Sequence, residues 1–202
     1  MAKSTAIEVR PPNFQTIEIP IEGREDFGLI THRMSDKAIK EMRDKQTKQA
    51  KGPQKAKDPE GDYESSRYTL PDGRDGFPSL AFKAAAIRAC KTTKINMTDA
   101  RQMFNVQSDG ISDRGQGLVA IEGKPLMRED VVRLQGNKAD LRYRAEYKGW
   151  KTTLTVEFDA DQMSAQQIVN LFARAGVGVG VGDWRPEKNG PFGRFSIAGD
   201  AS

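Results

Sequence analysis

From Gly176 to Gly182 glycine and valine alternate without a break, and the run continues through Asp183-Trp184-Arg185-Pro186 to Gly190-Pro191-Phe192-Gly193-Arg194-Phe195. Successive side chains of an extended chain point to opposite faces. An extended run here puts Val177, Val179 and Val181 on one apolar face and leaves the face of Gly178, Gly180 and Gly182 bare. Bare backbone admits another backbone, a helix or a phosphate chain at close range. The pattern predicts a strand with an open glycine face. Trp184, Arg185, Lys188 and Arg194 then supply aromatic and cationic groups from the turn-rich loop beside it.

Two glycine motifs are excluded. A dinucleotide fingerprint places its glycines between a strand and a following helix, whereas this run follows a predicted helix at residues 164–174. A phosphate-binding P-loop ends in Gly-Lys-Ser/Thr, and that triplet does not occur. No nucleotide cofactor is expected.

Lys+Arg 32 against Asp+Glu 28 gives a net charge of +4, a mild tilt toward polyanions whose meaning depends on clustering. The single Cys90 cannot form an internal disulfide and reads as a buried helix thiol in a reducing compartment. Residues 1–13 are polar, with Pro11-Pro12 and no apolar signal core, and no segment approaches a bilayer span. A cytoplasmic protein with no membrane partner is expected. The 202 residues suffice for one core, read as a tail over 1–13 and a single domain over 14–202.

Residues 14–21 alternate Ile17, Ile19 and Ile21 with polar side chains and read as a strand, with Pro20 marking an edge or bulge. Ser35 caps a helix to about Arg43. Apolar residues nearly vanish over 44–62, where Lys48, Lys51 and Lys55 alternate with glutamine, glycine and proline. A flexible basic insertion is expected, either a solvated loop or an arm that orders on an anionic partner. Gly76-Phe77-Pro78-Ser79 opens a helix to about Thr92, with Leu80, Ala84 and Ile87 on its inner stripe. Thr98 and Asp99 cap a short helix, and two strands flank Gly123. Residues 141–158 read as a hairpin with Arg142 and Arg144 on its open face. Ser164 and Gln167 form a capping box for a helix with Ile168, Leu171 and Phe172 inward. Strand, helix, strands, helix, strand is the order of an α+β, ferredoxin-like (RRM-like) antiparallel sheet with helices on one face. A cationic and aromatic open face on such a sheet binds single-stranded nucleic acid.

Two stretches resemble the repeat-associated mysterious protein (RAMP) superfamily, and more narrowly the backbone subunits of CRISPR effector complexes. Gly76-Phe77-Pro78-Ser79-Leu80-Ala81-Phe82-Lys83-Ala84-Ala85-Ala86-Ile87-Arg88 is similar to the family's Pro-Gly-Ser-x-x-Lys-Gly-x-x-Arg helix. It departs from that pattern at Leu80 and Ala81. The helix end and glycine-rich run from Leu171 to Phe195 are similar to the family's C-terminal glycine-rich loop. The chain also resembles an uncharacterised phage-encoded protein family sharing Trp-Arg-Pro-Glu-Lys and Gly-x-Phe-Gly-Arg-Phe. The resemblance implies that Lys83 and Arg88 hold phosphates, that copies line up as a homo-oligomer along RNA, and that the insertion grips a neighbour or the strand. It leaves open a metal-independent endoribonuclease using His32, the only histidine, and a phage protein that binds host defence complexes.

Histidine titrates near neutrality and suits general-base work, although a lone histidine is also a common structural residue. Asp159-x-Asp161 and Asp109/Asp113 sit at turns and helix starts, where aspartate caps. No third ligand or zinc spacing accompanies them, so no metal is expected. Trp184 either stacks on a base or plugs the core.

Overall fold

The isoleucine alternation at residues 17, 19 and 21 becomes the middle of a sheet. The computed structural model describes residues 10–47, 56–133 and 139–199. Its elements run β1 Phe14–Gly23, β2 Leu29–Ile30, α1 Asp36–Gln46, α2 Pro59–Ser66, β3 Tyr68–Thr69, β4 Asp75–Pro78, α3 Ser79–Ala89, α4 Met97–Met103 and β5 Phe104–Val106. They continue with β6 Gly110–Ile111, β7 Gly117–Ala120, β8 Pro125–Arg133, β9 Ala139–Tyr147, β10 Lys151–Asp159, α5 Ala165–Gly178 and β11 Phe195–Ile197. Helices on antiparallel sheets make this an α+β protein.

The first sheet has the order β11-β1-β10-β5, and every pairing is antiparallel. Along the chain its parts come as strand β1, helix α3, strands β5 and β10, helix α5, strand β11. Ile19 and Ile21 share an inner face with Leu154, Val156, Phe158, Phe104 and Val106, and α3 and α5 cover it with Phe82, Ala85, Ala86, Ile168 and Phe172. Fully burying one such aliphatic or aromatic side chain is worth about 1.5–3 kcal/mol, so this layer is the main source of stability. Pro20 sits mid-strand without breaking the register to β10. Its carbonyl accepts from Ala198, just past the end of β11, so the missing N–H faces the margin of a short neighbouring strand.

The outer face of this sheet is not the cationic, aromatic surface expected. Apart from one exposed aromatic, Phe14 at its end, it carries Thr16, Glu18, Glu22, Thr153, Thr155 and Glu157, with Lys151 tied to Glu22 at 2.8 Å. The expected 141–158 hairpin is also corrected. β9 pairs with β8 from Pro125↔Tyr147 to Arg133↔Ala139, while β10 pairs with β1. Alternation fixes which side chains share a face but not which strand lies alongside. Between β9 and β10 the chain turns at Gly149, buries Trp150 completely, and passes into the other sheet.

The second sheet is β2-β9-β8, and the third is β3-β4-β7-β6. On α3 the inner stripe is Phe82, Ala85, Ala86 and Ala89, a helical i, i+3, i+4, i+7 set, and Leu80 is 66% exposed. Asn96, not Thr98, caps α4, accepting from the Thr98 N–H. Both ends of the 44–62 stretch are helical among the described residues. Ser35-capped α1 runs on to Gln46, and Asp58 with Pro59 starts α2, a favourable N-cap and N1 pair. Lys48, Lys51 and Lys55 lie outside the described residues.

Candidate nucleic-acid interface

The glycine-valine run is not a strand. α5, started by the Ser164/Gln167 capping box, carries its inward stripe past Ala175 and continues through Gly176-Val177-Gly178. Helical glycine costs about 1 kcal/mol against alanine. Here Gly176 admits β11, because a Cβ would stand 2.0 Å from the Phe195 carbonyl oxygen. The chain then leaves the helix, with Val179 and Val181 buried and Val177 exposed. Gly180 is buried and Gly182 half-buried, both at positive φ, whereas Gly178 is exposed at the helix end. The bare face expected to lie open is therefore dispersed. Backbone bonds knit the loop to the segment around β2: Gly193 N–H to Gly28 O at 2.9 Å, Asp183 N–H to Ile30 O at 3.1 Å, and Val181 N–H to Gly193 O at 2.9 Å.

That stitching seats Asp183 and Trp184 over the β8–β9 hairpin. Cross-strand register puts Arg128 opposite Arg144 and Asp130 opposite Arg142 on one face. Arg144 is 2% exposed. It does not point from an open sheet face, because its guanidinium donates to Asp130 at 2.8 Å and also binds Asp183 from the C-terminal loop. Arg128 binds Asp130 at 2.7 Å and Glu146 at 3.3 Å. The Arg144 guanidinium stands 5.6 Å from the Trp184 ring centroid, and that of Arg128 5.9 Å from it and 4.6 Å from the Phe192 ring. Phe27 meets Phe192 edge-on at 5.3 Å. Trp184 as a residue is 39% exposed, and its ring is backed by two cations. Its backbone adopts φ 51°, unusual for a bulky residue, held by Phe192 N–H bonding its carbonyl at 3.1 Å.

Beside this cluster a cleft of roughly 270 Å³ is lined by His32, Arg33, Ser35, Lys57 and the continuous strand segment from Asp140 to Arg144, with Asp62, Ser65 and Ser66 of α2 opposite. Arg33 is bound by Asp113, and Lys57 by Asp140 at 2.8 Å. Arg142 is half-buried, with no ion-pair partner among the described residues. The walls of the cleft strip water from His32 and pull its imidazole below the ordinary value; Asp183 opposes that shift, and Arg142 and Arg144 reinforce it. No described group hydrogen-bonds the imidazole. Among the described residues no cluster of His, Cys, Asp and Glu has the makings of a metal site, and no helix is long and apolar enough to cross a membrane.

The other expected cations are dispersed. Arg88 and Arg185 both grip Glu187, at 2.9 Å each, and Arg185 also donates to Gly182 O at 3.0 Å. This knot ties the end of α3 to the C-terminal loop. Lys83 reaches Asn105 of β5 at 3.4 Å, while Arg194 precedes β11 at the opposite edge of the same sheet, its Nε buried without a hydrogen-bond partner among the described residues. Lys188 is exposed. Arg142, Arg144, Trp184 and His32 are thus gathered in one region. Lys83, Arg88 and Arg194 lie elsewhere, and Arg185, next in the chain to Trp184, turns its guanidinium to Gly182 and Glu187. The sequence pattern gave no site role to Arg128, Asp130, Asp183 or Phe27. The one available signal was Arg128-x-Asp130 on a predicted strand, a same-face charge pair.

No family model and no curated protein matches the chain. Among solved structures it is similar to Cmr6 from Pyrococcus furiosus, at 10% identity and a TM-score of 0.42 over 92% of this chain and 99% of that chain.

Proposed function

We propose that the protein binds single-stranded nucleic acid, RNA in preference to DNA, with little dependence on sequence and without cutting it. The observation that carries this reading is the partly exposed Trp184 ring, backed by Arg128 and Arg144, with Arg142, which has no ion-pair partner among the described residues, one two-residue strand step from Arg144. Aromatic faces stack on any base, and cations beside them hold the sugar-phosphate chain. Copies of the chain line up along the strand. We infer further that the first sheet is a ferredoxin-like core of the RAMP type. Its strands, numbered by their order in the strand-helix-strand-strand-helix-strand path, lie fourth, first, third, second across the sheet, and all are antiparallel. The ligand surface differs from that of an RRM: it lies at the C-terminal loop and second sheet, not on the outer face of the first.

Anisotropy of labelled oligouridylate and oligothymidylate across a salt series tests the function. Affinity is expected to fall steeply with salt, Arg142→Ala to lower the logarithmic salt slope by about one, and Trp184→Ala to cost about 1–3 kcal/mol with little change in slope. Salt-independent binding, or none to either strand, overturns it. A second reading, RNA cleavage with His32 as base, is favoured by one observation: an imidazole biased toward its neutral form beside Arg142. Cleavage by the wild type that His32→Ala abolishes would establish it; intact RNA in both would end it.

A further inference from the structure

Among the described residues β9 has one edge paired along its length with β8 and one that is only partly paired. Arg142 and Arg144 turn their backbone groups toward β8, so Leu141, Tyr143 and Ala145 turn theirs the other way. Ala145 is occupied: its carbonyl accepts from Thr31 N–H at 3.0 Å and its N–H donates to Ser66 Oγ at 2.9 Å. β2 pairs only with Glu146 and Tyr147, and beyond Thr31 the chain leaves the strand, Arg33 N–H bonding Ser66 O at 3.0 Å instead. That bond closes the cleft at its inner end. Further out, Lys57 Nζ donates to Leu141 O at 2.9 Å. Among the described residues nothing bonds the Tyr143 N–H, the Tyr143 carbonyl or the Leu141 N–H. Those groups lie along the strand segment lining the cleft, between the His32–Ser35 wall and α2.

We propose that this groove takes an extended acidic peptide from a partner protein, which adds a short strand to the open edge of β9. Two features select that occupant. The edge presents a carbonyl as well as N–H groups; a peptide backbone answers both, whereas a phosphate chain answers donors and is repelled by the acceptor. Among the lining side chains Arg33, Lys57 and Arg144 are already held by Asp113, Asp140 and the Asp130/Asp183 pair, which leaves Arg142, without a carboxylate partner among the described residues, to receive an incoming carboxylate. This groove shares Arg142 with the nucleic-acid reading but not the Trp184 ring that carries it, so a backbone-methylated peptide and Trp184→Ala, neither of which alters Arg142, tell the two proposals apart.

The probe is a fluorescein-labelled peptide of alternating valine and aspartate, titrated into the full-length protein by polarisation. Amide hydrogen exchange of residues 139–147 is followed in parallel. Binding is expected, with slowed exchange at Leu141 and Tyr143. At least tenfold weakening is expected for the same peptide with N-methylated backbone amides, and for Arg142→Glu. Trp184→Ala is expected to leave peptide affinity within twofold while weakening RNA. The N-methyl peptide leaves the protein untouched, so a misfolded variant cannot mask the answer. Equal binding of the methylated peptide, equal binding of a valine-lysine peptide, no binding of the valine-aspartate peptide, or protection of Tyr143 by oligouridylate alone each overturns the proposal; the last assigns the groove to nucleic acid.

Discussion

β1–β10 and β8–β9 are antiparallel pairs of nearly equal length, and both alternate, yet they are built from opposite materials. The first lines its inner face with Ile19, Ile21, Leu154, Val156 and Phe158 and leaves threonine and glutamate outside. The second lines the face beneath the C-terminal loop with Arg128, Asp130, Arg142, Arg144 and Glu146 and leaves Met127 and Val131 exposed on the other. Apolar burial stabilises in any orientation. Buried ions stabilise only when every partner is in position, and are otherwise costly. One pair therefore holds the fold, and the other holds a particular arrangement of a loop.

The sharpest way to break that contrast is to remove one member of each. Arg144→Ala strands Asp130 with one partner and leaves Asp183 without its arginine, and is expected to cost about 3–5 kcal/mol. Leu154→Ala in the apolar pair is expected to cost about 2–5 kcal/mol. The two are told apart by repair. Arg144→Met combined with Asp130→Leu should recover much of the loss in urea denaturation, since well-packed apolar groups often replace a buried ion pair without penalty, yet it should free the 183–193 loop to faster amide exchange. If the repaired variant keeps a protected loop, the ion network is not what fixes that loop.

A second, smaller contrast lies inside one helix. Gly176 and Gly178 are two residues apart in α5, but a Cβ on the first meets the Phe195 backbone at 2.0 Å and one on the second meets nothing within 4 Å. Gly176→Ala is expected to force α5 from β11 and lower stability. Gly178→Ala is expected to raise it by up to about 1 kcal/mol through helix propensity alone. Thermal melts of the two variants should move in opposite directions; a shift of the same sign would mean that the run does not stay helical in solution.

Those glycines also explain what could be read from the sequence. The isoleucine strand, the Ser35 cap and the Ser164/Gln167 capping box each state a local preference that the surrounding structure supports. The glycine-valine run states two preferences at once. A period of two describes an extended chain, but it also fits the last turn of a helix that must touch a strand, and only the position of Phe195 decides between them. The site was legible in part for the same reason. Trp184, Arg142 and Arg144 stood out as residue types, but the partner of Arg144 in the loop, Asp183, is 39 residues along the chain. No local pattern joins them. Arg88 and Arg185 attracted attention as cations, and nothing nearby in sequence announced that Glu187 would hold both.

The least of the expected effects concerns His32, and its sign separates stability from binding. Desolvation by the cleft, reinforced by Arg142 and Arg144 and opposed by Asp183, lowers its pKa below 6.5 in the folded protein. Its contribution to stability is therefore complete above the unfolded value. It is lost as pH falls from that value through the folded one, because the unfolded chain takes up the proton first. Urea midpoints of the wild type should fall more steeply below pH 6.5 than those of His32→Gln, with coincident curves above it. An anionic ligand reverses the sign: a protonated imidazole beside Arg142 strengthens its hold, so affinity for oligouridylate should rise over the same interval in which stability declines. Parallel urea curves would mean that the imidazole is not desolvated in solution. Affinity that is flat with pH, alongside a steeper urea curve, would put the strand on Trp184 and Arg142 but out of reach of His32.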